Sequence, residues 1–135
     1  MFVCEDVRQV VGIELNPVSV KNARENAERN KVENCRFETG DMKDVFTNTF
    51  IRKYGKPNVI FTDPPRAGMH PDVVKTLNEL AVDRLVYVSC NSATQARDLA
   101  ILSEKYRVDA VQPVDMFPQT YHIESVAKLT LHKSG

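Results

Sequence analysis

The feature that most constrains this chain is an alternation of short strand-like runs with segments whose apolar residues recur at helical spacing. Residues 10–15 (VVGIEL), 36–39 (RFET), 58–62 (NVIFT) and 84–89 (RLVYVS) read as strands, the first and third as buried ones. Asn16-Pro17 supplies an N-cap and a first-turn proline for a helix over 17–30, with Val20, Ala23 and Ala27 on one face. A second helical pattern runs through 41–54, carrying Val45, Phe46, Phe50, Ile51 and Tyr54, and Gly55 and Pro57 end it. Pro71 opens a third, with Val73, Val74, Leu77, Leu80 and Ala81, and Asn91 or Ser92 caps a fourth that reaches about residue 105. Residues 106–113 and 124–133 then alternate apolar and polar side chains with no helical pattern between them, which predicts a closing antiparallel pair. Strands alternating with helices of this length imply a doubly wound α/β domain: a mostly parallel sheet covered on both faces, with right-handed crossovers.

With 135 residues the chain is expected to form one domain around one core. Its 18 basic and 18 acidic side chains argue against a strongly basic grip on nucleic acid, although they do not exclude RNA. Local basic groups at Arg52, Lys53 and Lys56, and at Lys128 and Lys133, read first as solvated faces. Glu5 and Asp6 stand where a signal peptide needs positive and then apolar residues, and no apolar run is long enough to span a membrane, so a cytoplasmic protein with no membrane partner is expected. Cys4, Cys35 and Cys90 make no C-x-x-C pair, so neither a disulfide framework nor a bound metal is expected.

In open α/β sheets ligands bind beyond the carboxyl ends of the strands, so the residues that close each strand carry the functional reading. Glu14, Asp41, Asp63 and Cys90 stand at those four positions and are expected to converge on one rim. Glu14 has the chemistry to accept hydrogen bonds from two ribose hydroxyls, against the alternative of a solvated loop carboxylate. Asp41 either accepts from a purine amine or simply caps the following helix. In Asp63-Pro64-Pro65-Arg66 two prolines stiffen a turn that aims the Asp63 carboxylate, while Arg66 can reach a phosphate or pair with a carboxylate. Cys90, at a strand-to-helix junction, lies where a helix N-terminus favours a thiolate nucleophile; the alternative is an inert core cysteine, the reading given to Cys4 and Cys35. His122-Ile123-Glu124 leads into the last strand from a polar, aromatic stretch, with Glu124 either a base or a solvated strand-end carboxylate.

Taken together, Gly12-Ile13-Glu14, Gly40-Asp41, Asp63-Pro64-Pro65-Arg66, Ser89-Cys90-Asn91 and His122-Ile123-Glu124 resemble, in order and spacing over essentially the whole chain, the S-adenosylmethionine-dependent RNA uracil-5-methyltransferases. A lone Asp-Pro-Pro would not be specific, because amino-methyltransferases carry a related motif. The resemblance implies a Rossmann-like class I methyltransferase fold that makes 5-methyluridine in tRNA or 23S rRNA. It also implies that Cys90 is the nucleophile and Glu124 the proton acceptor. Glu14, Asp41 and Asp63 would contact the cofactor S-adenosylmethionine, and Asp63, Arg66, Asn91 and His122 the uracil substrate.

Members of that family are longer, and Met1 falls where the helix after the first catalytic-domain strand should be ending. The resemblance therefore implies that residues 1–135 are a partial catalytic domain lacking that strand, its glycine-rich turn and the upstream RNA-gripping domains. No four-cysteine cluster motif of the kind some relatives carry upstream occurs here. The missing strand would lie between the strand ending at Glu14 and the one ending at Thr62. Either those two strands pair directly or another chain fills the gap by self-association, and weak or no turnover is expected of the fragment alone. Two other readings stand beside this one: an inactive folding fragment of such an enzyme, and a non-catalytic nucleotide-binding module, for which no G-x-G-x-x-G is present.

Overall fold

The computed structural model describes residues 4–133. Its elements, in chain order, are β1 (Val10–Glu14), α1 (Pro17–Arg29), β2 (Cys35–Thr39), α2 (Met42–Val45), α3 (Asn48–Tyr54), β3 (Val59–Thr62), α4 (Pro71–Leu80), β4 (Arg84–Ser89), α5 (Ser92–Leu102), β5 (Tyr106–Val114) and β6 (Glu124–Leu131). The described residues fall into two compact units divided after Gly55. A single core was the expectation; each unit has its own set of buried side chains.

In the first unit β1 and β2 pair in parallel, Val10 opposite Cys35 and Glu14 opposite Thr39. The crossover helix α1 begins at Asn16, whose side chain accepts from the Val18 N–H, and it buries Val20 and Ala27. The expected single helix over 41–54 is two helices. Asp41 caps the first, and Thr47, with extended backbone, caps the second, because the chain leaves helical geometry at Phe46 (ψ 74°). Phe46 itself is buried, as the apolar spacing predicted.

In the second unit the strand order is β3-β4-β6-β5. β3 and β4 run parallel, joined through α4, whereas β6 pairs antiparallel with both β4 and β5. The expected C-terminal antiparallel pair is present, so the α/β fold has parallel pairings in both units and antiparallel ones at its end. Leu77 and Leu129 are fully buried here, each stabilising the unit by about 2 kcal/mol through burial. Tyr106 is also buried and donates its phenol to the Leu77 carbonyl (3.1 Å), and burial raises its pKa above that of a free phenol. Pro113 sits in edge strand β5, where a missing N–H is tolerated.

One expectation is corrected. β3 is not buried on both faces: Ile60 is buried, but Phe61, on the opposite face of the sheet, is 65% exposed. Within the units β1 pairs with β2, and β3 with β4. Among the described residues no helix is long and apolar enough to cross a membrane.

Candidate active site

Each unit carries part of the set of strand-end residues expected to line one rim. In the first unit Glu14 ends β1 and Asp41 lies two residues beyond its register partner Thr39, so both stand at the carboxyl end of the parallel pair. Glu14 Oε1 accepts from the Asn16 N–H (2.8 Å) and Asp41 Oδ1 from the Lys43 N–H (3.1 Å). Each carboxylate thus spends one oxygen on a local turn, and its second makes no hydrogen bond among the described residues. Asp41 does act as a helix cap, as one of its two readings required.

In the second unit the antiparallel register decides the geometry. Ser89 pairs with Ser125, so Cys90, one residue after Ser89, and Glu124, one residue before Ser125, stand side by side at the same end of neighbouring strands. The parallel register of β3 on β4, Thr62 opposite Tyr87, brings Asp63 to the same end. Cys90 and Glu124 are both partly accessible, and Asp63 is exposed. His122 is exposed, its backbone N–H donating to Thr120 Oγ1 (3.2 Å).

The Cys90 turn is clasped from both sides. The Ser89 hydroxyl, 3% exposed, donates to the Asn91 carbonyl (2.9 Å) and accepts from the Asn91 N–H (3.0 Å), enclosing Cys90 between two fixed neighbours. Asn91 then caps α5, accepting from the N–H groups of Ala93 and Thr94. Its amide nitrogen donates to the Arg66 carbonyl (3.2 Å), and Thr94 Oγ1 donates to the same oxygen (3.1 Å). The exposed Arg66 side chain makes no hydrogen bond or ion pair among the described residues. Asn91 was expected at the substrate; its amide is engaged with the protein, and that engagement brings the Asp63–Arg66 turn onto the helix that follows Cys90.

Sequence reasoning missed Gln95, which is 2% exposed and donates Nε2 to the carbonyls of Tyr87 (3.0 Å) and Ser125 (3.1 Å). It ties β4 to β6 directly behind Cys90 and Glu124. The available signal was a polar residue on a helical face shared with Asp98 and Leu102, where an apolar one is the rule. Cys35 is inert as expected: burial first, then the neighbouring Cys4 thiol, pushes its pKa up to about 11, which keeps it protonated at neutral pH.

The alternation of parallel-paired strands and helices, with carboxylates at the strand ends, defines an α/β domain of the Rossmann-like class. Comparison places it more narrowly. Residues 1–132 match the family described as tRNA (Uracil-5-)-methyltransferase, and the chain belongs to that family. An uncharacterized RNA methyltransferase of Bacteroides thetaiotaomicron is 56% identical over 130 residues, covering 96% of this chain and 29% of that protein. One from Porphyromonas gingivalis is 51% identical, covering 95% and 28%. The crystal structure of Pyrococcus abyssi tRNA (uracil-54, C5)-methyltransferase in complex with S-adenosyl-L-homocysteine superposes with a TM-score of 0.81 at 38% identity, over 96% of this chain and 30% of that one. An rRNA methylase from Streptococcus thermophilus, 8% identical with a TM-score of 0.72, covering 98% of this chain and 78% of its own, shares the fold alone. The chain therefore spans less than a third of the length of the family relatives it matches.

Proposed function

We propose that these residues are the catalytic part of a longer enzyme that methylates carbon 5 of a uridine in tRNA or rRNA. In that enzyme Cys90 is the nucleophile and Glu124 the proton acceptor, and the grip on RNA comes largely from outside residues 1–135. The observation that carries this reading is the register of β4 on β6, which sets Cys90 beside Glu124 at one strand end.

Uracil carbon 5 is too weak a nucleophile to take a methyl group unaided. Addition of the Cys90 thiolate to carbon 6 forms an S–C6 bond and moves the ring π electrons toward the carbonyl oxygen, leaving an enolate with an electron-rich carbon 5. S-adenosylmethionine, when bound, supplies an electrophilic methyl group to that carbon. Glu124 then takes the carbon 5 proton, the C5–C6 double bond re-forms, and the S–C6 bond breaks to return the thiolate. The free oxygens of Glu14 and Asp41 suit the donor groups of that cofactor, namely ribose hydroxyls and an adenine amine, and the paired first oxygens hold each carboxylate in place. Asp63 faces both cofactor and base, and Arg66 and His122 meet the substrate. The base must leave its stack to reach Cys90.

The test uses the complete enzyme and RNA carrying 5-fluorouridine, whose carbon 5 has no proton to lose, so the methylated Cys90 adduct persists. Wild type should form a stable protein–RNA adduct and Cys90→Ala none, with methylation of normal RNA abolished. Glu124→Gln should form the adduct on normal RNA but resolve it about 100-fold more slowly. Methylation surviving in Cys90→Ala would overturn the proposal.

A further inference from the structure

Asp98 is 1% exposed, a rare place for a carboxylate, and no step of the proposed reaction uses it. Its partners account for its burial. Oδ2 accepts from the Met69 N–H (2.8 Å) and the Tyr87 phenol (2.7 Å), and Oδ1 accepts from Arg97 Nε (3.0 Å) and Nη2 (2.8 Å). Burial, and next the bond to Asp98, raises the pKa of Tyr87, so its phenol remains a donor throughout the working pH range.

The same Arg97 Nη2 also donates to the Ala67 carbonyl (2.9 Å). At the start of α5, its cap Asn91 and Thr94 hold the Arg66 carbonyl. Three backbone groups within four successive residues, the carbonyls of Arg66 and Ala67 and the N–H of Met69, are therefore bonded to side chains of Asn91 and α5. Gly68 lies between them at φ +84°, and a Cβ there would stand 2.5 Å from Arg97 Nη2 and 2.8 Å from Asp98 Oδ2. The loop is laid so closely on the Arg97–Asp98 pair that only glycine fits.

An ion pair with a buried carboxylate is a poor source of stability, because desolvation offsets much of its attraction; what it does supply is direction. We infer that Asp98 is a positioning residue, which through Arg97 and the Met69 N–H fixes the Asp63–Arg66 turn on the first turns of the helix that follows Cys90. The inference rests on the reading of Cys90 and Arg66 given above. If the reacting groups of the uracil site come from two segments, the Cys90 turn and the Asp63–Arg66 turn, then their mutual placement controls the rate, and a shift of about 1 Å costs about 100-fold.

The experiment measures single-turnover adduct formation on 5-fluorouridine RNA by the complete enzyme at saturating S-adenosylmethionine, normalised to sites that bind S-adenosylhomocysteine. Asp98→Asn keeps shape but turns a donor toward Arg97, releasing it from Ala67. It should slow the adduct step about 10- to 100-fold per site, with KM for S-adenosylmethionine within about twofold of wild type. Arg97→Lys, at a side chain 53% exposed and so tolerant of change, cannot bridge Asp98 and Ala67 together and should slow it about 3- to 10-fold. A wild-type rate per site, with only yield or melting temperature reduced, would overturn the inference. Should Asp98→Asn not fold, Arg97→Lys decides by the same criterion. Absence of an adduct in wild type would defeat the Cys90 reading itself, and this inference with it.

Discussion

The two units hold their functional side chains in opposite ways. In the first, Glu14 and Asp41 are each restrained by a backbone N–H only two residues away. In the second, the Cys90 end of the sheet and the Asp63–Arg66 turn are braced by bonds spanning 25 to 30 residues, from Asn91, Thr94, Gln95, Arg97 and Asp98. The difference follows the chemistry proposed for each. A ribose or an adenine amine tolerates some play in its acceptors, whereas thiolate addition and proton removal at adjacent carbons do not.

The comparison can be broken from its stronger side first. Gln95→Leu keeps the volume but withdraws a donor from two carbonyls, and should destabilise the second unit by about 2–3 kcal/mol in a urea titration, with a matching loss of adduct rate. A loss below about 0.5 kcal/mol would mean that the brace behind Cys90 and Glu124 is dispensable. Asp41→Ala removes only a helix cap and should cost about 1 kcal/mol, yet weaken S-adenosylhomocysteine binding in calorimetry. Unchanged affinity would take Asp41 out of the cofactor site and leave it a cap.

The smallest effect concerns pH. Glu38 accepts from Lys53 (2.6 Å) and from the Tyr54 phenol, bonds that hold its carboxyl below the ordinary glutamate range. A carboxyl depressed in the folded state contributes stability above its unfolded pKa, and that contribution is lost as pH falls through the folded one. Melts of wild type and Glu38→Gln should differ at neutral pH and converge in acid; parallel curves would show that the contact adds nothing.

Much of the fold was legible because local signals agreed. β4 has the bounds that its apolar run predicted, and Asn16-Pro17 and Asn91 cap the helices they announced. Where signals competed, spacing misled. Phe46, Phe50 and Tyr54 lie at helical intervals across 41–54, and their rings do pack together, but Asp41 and Thr47 each start a helix, so the stripe is shared by two. For the site, every strand-end residue was visible because strand ends are local. Gln95 and Asp98 were not, because a buried polar side chain in a helix is explained only by partners far along the chain, and periodicity carries no record of them. The strand register that sets Cys90 beside Glu124 is likewise a long-range fact.

The close seating of Gly68 on Arg97 and Asp98 bears on how such a chain can change over generations. A side chain at position 68 would meet that pair and would also have to hold a positive φ, so the glycine is required on two separate counts. Replacing Arg97 and Asp98 together would clear the space but not the backbone angle, so a lineage that loses the pair should still keep glycine at position 68.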